Sequence, residues 1–343
     1  MRKITRRSFL SAAAVCGAAA ALTACGGSSS SAAASSTASS VASAAGSAAT
    51  DGQSYTVGIC QLVEHAALDA ATQGFEDALT EAFGDNVKFD FQNAQNDSAT
   101  CATIANGFVS ASVDLIMANA TPALQAAASA TSEIPILGTS VTDYASALEI
   151  DGWTGTVGGN ISGTSDLAPL DQQAAMIQEL FPDAKNIGLL YCSAEANSQY
   201  QVDEMTKYLT ELGLTATAFA FTDTNDVASV AQAACDASDV LYIPTDNTAA
   251  SNTEAIANVV LPAKVPVIAG EAGICEGCGI ATLSISYYDL GVATGKMAAK
   301  ILTGEADISQ MPVEYAPQVT KMYNAANCEA LGVTIPDGYE PMG

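Results

Sequence analysis

Apolar and polar positions along this chain repeat one arrangement twice. Tyr55-Thr-Val-Gly-Ile-Cys60 is a short apolar run of strand character. Asn186-Ile-Gly-Leu-Leu-Tyr191 is a second, about 130 positions later. A polar loop and then a helical pattern follow each. The first places Leu68, Ala71, Phe75, Ala78, Leu79 and Ala82 at helical spacing over 67–83. The second places Val202, Met205, Tyr208, Leu209 and Leu212 over 198–212. Gly84 and Gly213 stand where helix C-termini favour glycine. Alternating strands come next, at 87–91 and 215–221, and each leads to a polar pair, Asn96-Asp97 and Asn225-Asp226. The pairs are placed to cap helices over 98–111 and 227–237.

The match continues through apolar runs at 114–118 and 239–243, helices from 122 and 248, and strands at 134–138 and 265–269 with Pro135 and Pro266 at the same place. Strands alternating with helices predict parallel βαβ units. Two copies predict an α/β fold of two doubly wound parallel-sheet lobes with a cleft between them. The connections between lobes are expected near 160–168 and 281–288, the second after a strand at 280–285. A helix over 290–302, closed by Gly304, a strand at 312–317 and a tail complete the chain. Residues 54–164 and 286–310 are expected to form lobe one, and 165–285 and 311–343 lobe two, so that the chain crosses the hinge three times.

Composition narrows the function. Acidic residues outnumber basic ones 37 to 11, a net charge of −26. That argues against nucleic acid, whose phosphates need Lys and Arg, and against electrostatic docking on anionic lipid. A hydrophobic content of 49% with only 14% charged residues argues against gross disorder. Arg2, Lys3, Arg6 and Arg7 crowd the N-terminus, and no arginine follows Arg7. Any anionic ligand has to be held without a guanidinium fork.

Those four charges precede an apolar, Ala-rich run over 9–24 and the segment Leu22-Thr-Ala-Cys25. A basic start, a short apolar stretch and small residues at the cut describe a secretory signal peptide over 1–24. The segment resembles the lipobox of bacterial lipoproteins, which implies lipidation at Cys25. Thr5-Arg-Arg-Ser-Phe-Leu10 also resembles a twin-arginine export signal, so either export route stays open. Residues 26–53 are nearly all Ser, Ala, Gly and Thr and read as a flexible tether of roughly 30 Å. Of the nine cysteines, Cys16 would leave with the signal and Cys25 would carry lipid. Cys275-Glu-Gly-Cys278 has the CxxC spacing, but with one histidine in the chain and no second CxxC a zinc site is not expected. A local disulfide or idle thiols are the reading of that pair.

In open parallel sheets ligands bind beyond the carboxyl ends of the strands. The loops there are 61–67, 119–123 and 139–144 in lobe one and 193–198, 245–248 and 270–273 in lobe two. They hold Thr, Ser, Asn and Gln, with His65 and the acids Glu64, Asp143, Glu195, Asp246 and Glu271. That inventory suits a small zwitterion. A carboxylate can sit on N–H groups and hydroxyls at Thr121 and Thr139, and an ammonium against Asp246, Glu271 or Asp143. Catalytic patterns are missing: no GxGxxG follows either first strand, there is no GxxxxGK[ST] loop and no GxSxG elbow. No enzyme activity, cofactor or metal is expected.

The loop motifs are similar to those of the substrate-binding lipoproteins of ABC importers, in the branch for tryptophan and tyrosine uptake. The resemblance rests on Gln61-Leu-Val-Glu-His65-Ala-Ala-Leu-Asp69, Phe91-Gln-Asn-Ala-Gln95, Ala120-Thr-Pro-Ala123, Val141-Thr-Asp143, Gly163-Thr-Ser-Asp-Leu167, Ser193-Ala-Glu-Ala-Asn-Ser198, Pro244-Thr-Asp-Asn247 and Tyr287-Tyr-Asp-Leu-Gly291. It spans about 55–335; Ala66 stands where the family's motif has proline. The resemblance implies the type I periplasmic-binding-protein fold and capture of a ligand, most simply an aromatic amino acid, by hinge closure. It implies delivery to a permease driven by a separate ATPase, by a monomer held on the outer face of the membrane. Another solute (a branched amino acid, nucleoside or peptide) or a sensor role is the alternative. Cleft positions carried over are His65, Thr121, Thr139, Asp143, Ser165, Asp166, Glu195, Asn197, Ser198, Asp246, Asn247 and Tyr288, with Glu271 added from the inventory. The expected roles are the carboxylate at Thr121 and Thr139, the ammonium at Asp246, and His65, Asn197 and Tyr288 around the side chain.

Overall fold

A computed structural model describes residues 53–316 and 318–342. The signal sequence, Cys25 and most of the tether lie outside the described residues. The first half alternates as expected: β1 (Tyr55–Gln61), α1 (Ala66–Phe83), β2 (Val87–Asn93), α2 (Ser98–Ala111), β3 (Leu115–Asn119), α3 (Thr121–Ala130), β4 (Ile136–Val141), the single turn α4 (Tyr144–Ala147) and β5 (Ile161–Ser165). The second half follows with α5 (Leu170–Leu180), β6 (Asn186–Cys192), α6 (Ala196–Glu211), β7 (Thr215–Phe221), α7 (Val227–Ala237), β8 (Val240–Ile243), α8 (Asn247–Ala250), α9 (Thr253–Ala263), β9 (Val267–Ala269), α10 (Ala272–Gly277) and β10 (Ala281–Ser284). The chain ends with α11 (Tyr287–Leu302), β11 (Glu314–Tyr315), β12 (Thr320–Tyr323), α12 (Ala325–Leu331) and β13 (Glu340–Pro341).

The repeat in the sequence becomes a repeat in topology. One sheet runs β11-β5-β4-β3-β1-β2 and the other β13-β12-β10-β9-β8-β6-β7, so the first five strands of each lobe follow the same order. The central strands are buried on both faces, as their unbroken apolar runs require. Core clusters cover both faces of each sheet: Phe108, Ile116 and Leu124 on one face of the first, Phe75, Leu79 and Met117 on the other. Tyr242, Met205 and Leu209 cover one face of the second, and Phe221, Ile256 and Ile274 the other.

The chain changes sheet three times, after β5, after β10 and after β11. Residues 160–168, expected as a connection, contain β5 itself, whose Gly138–Gly163 pairing admits the chain closely. The strand after α11 pairs through Glu314 and Tyr315 with Thr164 and Ser165 of the first sheet, so the final crossing comes later than position 311. The next strand, β12, runs antiparallel to β10. Asp97 caps α2 by accepting from the Thr100 N–H. Its counterpart Asp226 makes no cap bond; its carboxylate accepts from the Thr222 hydroxyl instead. The seven cysteines of the described region are free and buried, Cys275 and Cys278 among them. Among the described residues, no helix is long and apolar enough to cross a membrane.

Helix α11 returns from the second lobe to pack along α1. Small residues let the two approach: Gly74 on α1 faces the Tyr288 carbonyl, and Gly291 and Gly295 on α11 face Ala71 and Ala78. The loops that begin these helices both reach the cleft.

Candidate functional site

The sheet order reverses between β1 and β3 in one lobe and between β6 and β8 in the other. Loops leaving such neighbours diverge and leave a crevice at the strands' carboxyl ends. Here the two crevices face each other. Between them is a small cavity of about 10 Å³ lined by His65, Leu68, Ser140, Asp166, Asn197, Thr245, Asp246, Asn247, Ala250, Glu271 and Tyr287. A wider cleft of about 340 Å³ shares His65, Ala250 and Glu271 with it and adds Glu64 and Glu276. Two hydrogen bonds join the lobes at this level: His65 Nε2 lies 3.2 Å from Asn247 Oδ1, and Asn96 Nδ2 donates to Thr248 Oγ1 at 3.0 Å.

The second-lobe wall is built by carboxylates that satisfy backbone N–H groups. Glu195 accepts from the backbone N–H groups of Asn247 and Thr248 (3.0 and 2.8 Å) and from both their side chains, which ties α6 to α8. Asp246 caps α8 through Ala249 N–H at 2.8 Å and accepts from Cys192 N–H at 2.6 Å. Glu271 caps α10 by accepting from Gly273 and Ile274. Asp166, in the first crossing, accepts from the Thr142 and Tyr287 hydroxyls, each at 2.9 Å.

The cavity lining includes three buried carboxylates, Asp166, Asp246 and Glu271, and no lysine or arginine. Among the described residues the ion pairs are Lys207–Glu204 and Lys321–Glu179, on the surface. Burial pushes the Asp246 carboxyl up to about 8, with the Glu195 charge adding to it. Burial also raises Asp166, to about 6, against the lowering effect of its two hydroxyl donors. Glu271 is raised by burial, and His65 partly offsets this. Isolated buried carboxylates resist ionisation, and a cation between them reverses that resistance. On the lobe-one side, Ser140 Oγ at the cavity is buried without a hydrogen-bond partner, as is Thr121 Oγ1 in the first turn of α3. Ser140 holds φ at 54°, and Ala120, just before α3, holds 91°. Such backbone strain in residues with side chains collects at ligand sites.

A family profile for the ABC transporter substrate binding protein matches residues 56–339. The chain belongs to that family. A tyrosine-binding protein of Clostridioides difficile (strain R20291) is 38% identical over 278 residues, 80% of each chain. The crystal structure of the ABC domain in complex with L-Trp from Streptococcus pneumonia is 34% identical, with a TM-score of 0.80 over 84% of this chain and 100% of that one. The ligand-free, open structure of a substrate binding protein with adhesive properties from Clostridium difficile is 39% identical, covering 84% of this chain and 99% of that one, with a TM-score of 0.65. The better superposition falls on the ligand complex although its identity is lower. It agrees with the bonds that join the two lobes here. Two parallel-dominated sheets joined by three crossings are the type I periplasmic-binding-protein fold. Substrate-binding proteins of this family are extracytoplasmic transport proteins that take a small molecule to an ABC permease.

Of the positions named from the sequence, this substrate-binding protein brings His65, Asp166, Asn197, Asp246, Asn247 and Glu271 to one cavity. Glu195 and Ser198 stand directly behind it: Asn197 Nδ2 donates to both, at 3.2 and 3.3 Å. Thr121 is buried at the start of α3. Four positions point elsewhere. The Thr139 hydroxyl pairs with Thr164, which pairs in turn with Thr294 of α11, so it serves the interior and not a carboxylate. Asp143 caps α4 through the Ser146 N–H. Ser165 Oγ donates to the Thr142 carbonyl. Tyr288 is 42% exposed, and its hydroxyl donates to Asp77 on the outer face of α1. Its neighbour Tyr287 is the buried ring at the cavity. Ser286 caps α11, and that start sets the helical phase by one residue. Ser140 escaped notice because no sequence signal marks a serine at positive φ.

The raised carboxylates set a pH dependence opposite in sign to ordinary acid denaturation. The folded value of Asp246 lies above its ordinary 3.8, at about 8. Its contribution is fully present below 3.8 and is lost as pH rises to about 8; Asp166 acts likewise up to about 6. The melting temperature of the ligand-free protein is expected to fall as pH is raised through this window. Scanning calorimetry of wild type and Asp246→Asn checks this: a wild-type curve no steeper than the variant's refutes it.

Proposed function

We propose that this protein captures an aromatic amino acid, tyrosine or tryptophan, outside the cell and hands it to an ABC permease without chemical change. The observation that carries the reading is one cavity whose lining holds three buried carboxylates, no lysine or arginine, and the partnerless Ser140 hydroxyl. An α-amino acid supplies both complements. Its ammonium sits among Asp166, Asp246 and Glu271, and its carboxylate takes the Ser140 and Thr121 hydroxyls with N–H groups at the start of α3. Because the partners belong to different lobes, the ligand favours the closed form over the open one. The named ligands of the relatives supply the aromatic side chain. Cys25 carries the lipid anchor, the Ser/Ala-rich tether spans the gap to a lobe-one domain beginning near residue 54, and the protein acts as a monomer.

Thermal unfolding with each amino acid in turn tests the ligand. At 100 times its Kd a ligand stabilises by about 2.7 kcal/mol, so L-tyrosine or L-tryptophan should raise the melting temperature by several degrees, and the ligand should be recovered unchanged. A shift with some other solute and none with aromatic amino acids refutes the assignment. For the anchor, Cys25→Ala should move the protein from the membrane to the soluble fraction, and retention on membranes in high salt would count against lipidation.

A further inference from the structure

Asn197 holds an unmet demand that neither end of an amino acid explains. It lies in the first turn of α6 and is 6% exposed. Its Nδ2 faces three acceptors: Glu195 Oε2 at 3.2 Å, Ser198 Oγ at 3.3 Å and the Thr245 carbonyl at 3.1 Å. This settles the amide's orientation. Turned over, its carbonyl oxygen would meet a carboxylate and a backbone carbonyl. Oδ1 therefore points away from that wall, and among the described residues no donor reaches it. Asn197 also lines the cavity.

A buried carbonyl oxygen without a donor is costly, so the bound state should supply one. The ligand's ammonium has ionised carboxylates to choose from, and these are stronger acceptors than a neutral amide. Its carboxylate has no proton to give. The remaining donor on tyrosine is the phenolic O–H and on tryptophan the indole N–H, and phenylalanine has none. Apolar groups at the cavity, Leu68 and Ala250, accept a ring without distinguishing the three.

We propose that Asn197 Oδ1 accepts a hydrogen bond from the donor on the ligand's side chain and thereby selects tyrosine and tryptophan over phenylalanine. The inference rests on the amino-acid reading of the cavity. A site built to hydrogen-bond a substrate O–H or N–H rejects the analogue that lacks it, because the site's own polar group is then left unpaired.

Titration calorimetry with L-tyrosine, L-tryptophan, L-phenylalanine and 4-amino-L-phenylalanine tests it. In the wild-type protein phenylalanine should bind roughly 10- to 100-fold more weakly than tyrosine, and the 4-amino analogue, which restores a donor, should recover part of that loss. In Asn197→Ala the tyrosine-to-phenylalanine ratio should fall to within about threefold, mainly through weaker tyrosine binding. An unchanged ratio in a variant that still melts cooperatively overturns the proposal. Equal wild-type affinity for tyrosine and phenylalanine overturns it without any variant, and so covers the case where Asn197→Ala does not fold. If no aromatic amino acid binds, the ligand assignment fails and the selectivity falls with it.

Discussion

Asp166→Asn is expected to weaken binding of the cognate aromatic amino acid by roughly 100-fold, about 2.7 kcal/mol, while the protein stays folded. Asparagine keeps the shape. Its carbonyl oxygen can accept from the Thr142 hydroxyl as Asp166 Oδ1 does now, and its amide can donate to the Tyr287 oxygen. What disappears is the negative charge that an ammonium would meet. Burial makes that charge costly in the empty protein, where it holds the carboxyl up to about 6. Removing it should leave the melting temperature of the ligand-free protein unchanged or raise it slightly near neutral pH. Loss of binding together with retained or improved stability is the pattern of a group kept for function. Calorimetry and thermal unfolding on the same preparation decide it. Undiminished affinity would move the ammonium away from Asp166, and a large loss of stability would show that the carboxylate holds the crossing together instead.

Gly291→Ala is expected to destabilise the protein by about 3 kcal/mol, lowering the melting temperature by roughly 5–10 °C. A Cβ there would overlap the Ala71 carbonyl oxygen and lie 2.7 Å from its carbon. The obstacle is backbone, which cannot rotate aside, so α11 and α1 would have to separate. The cavity should feel this as well, because α1 begins at the His65 loop and α11 begins with Tyr287. Gly107→Ala is the control. Gly107 lies inside α2, is exposed, and its added Cβ would meet nothing within 4 Å. There the helix preference of alanine acts alone and should stabilise by about 0.5–1 kcal/mol. Opposite signs for the two substitutions in thermal unfolding would confirm close packing at Gly291, and a neutral Gly291→Ala would show that the helices can part cheaply.

Much of the architecture was legible along the chain because burial there has a simple period. The central strands are sandwiched between helices, so they read as short apolar runs, and the helices between them carry one apolar stripe. That is why α2 over 98–111, β7 over 215–221 and α7 over 227–237 stand where the pattern predicts, and why the doubled order of strands was visible as a doubled sequence. The same logic located the binding loops, since ligand crevices follow strand ends. Individual side chains were another matter. Asp97 and Asp226 sit in matching motifs, yet one caps a helix and the other does not. Thr139 and Ser140 are adjacent at the end of β4, yet the first bonds into the interior and the second is left partnerless at the cavity. Tyr287 and Tyr288 differ by one step of a helix that begins at Ser286, and that step turns one ring inward and the other toward Asp77. These choices depend on partners far away in sequence: Glu195 on Thr248, Asp166 on Tyr287, His65 on Asn247. Local propensity carries no information about such partners. By itself the sequence determined two βαβ lobes with polar loops at one end and an acidic, arginine-free inventory there. The tertiary structure decided which of those polar groups satisfy one another and which are left for a ligand, because hydrogen bonds are pairwise and short-ranged and their pairing exists once the lobes have packed.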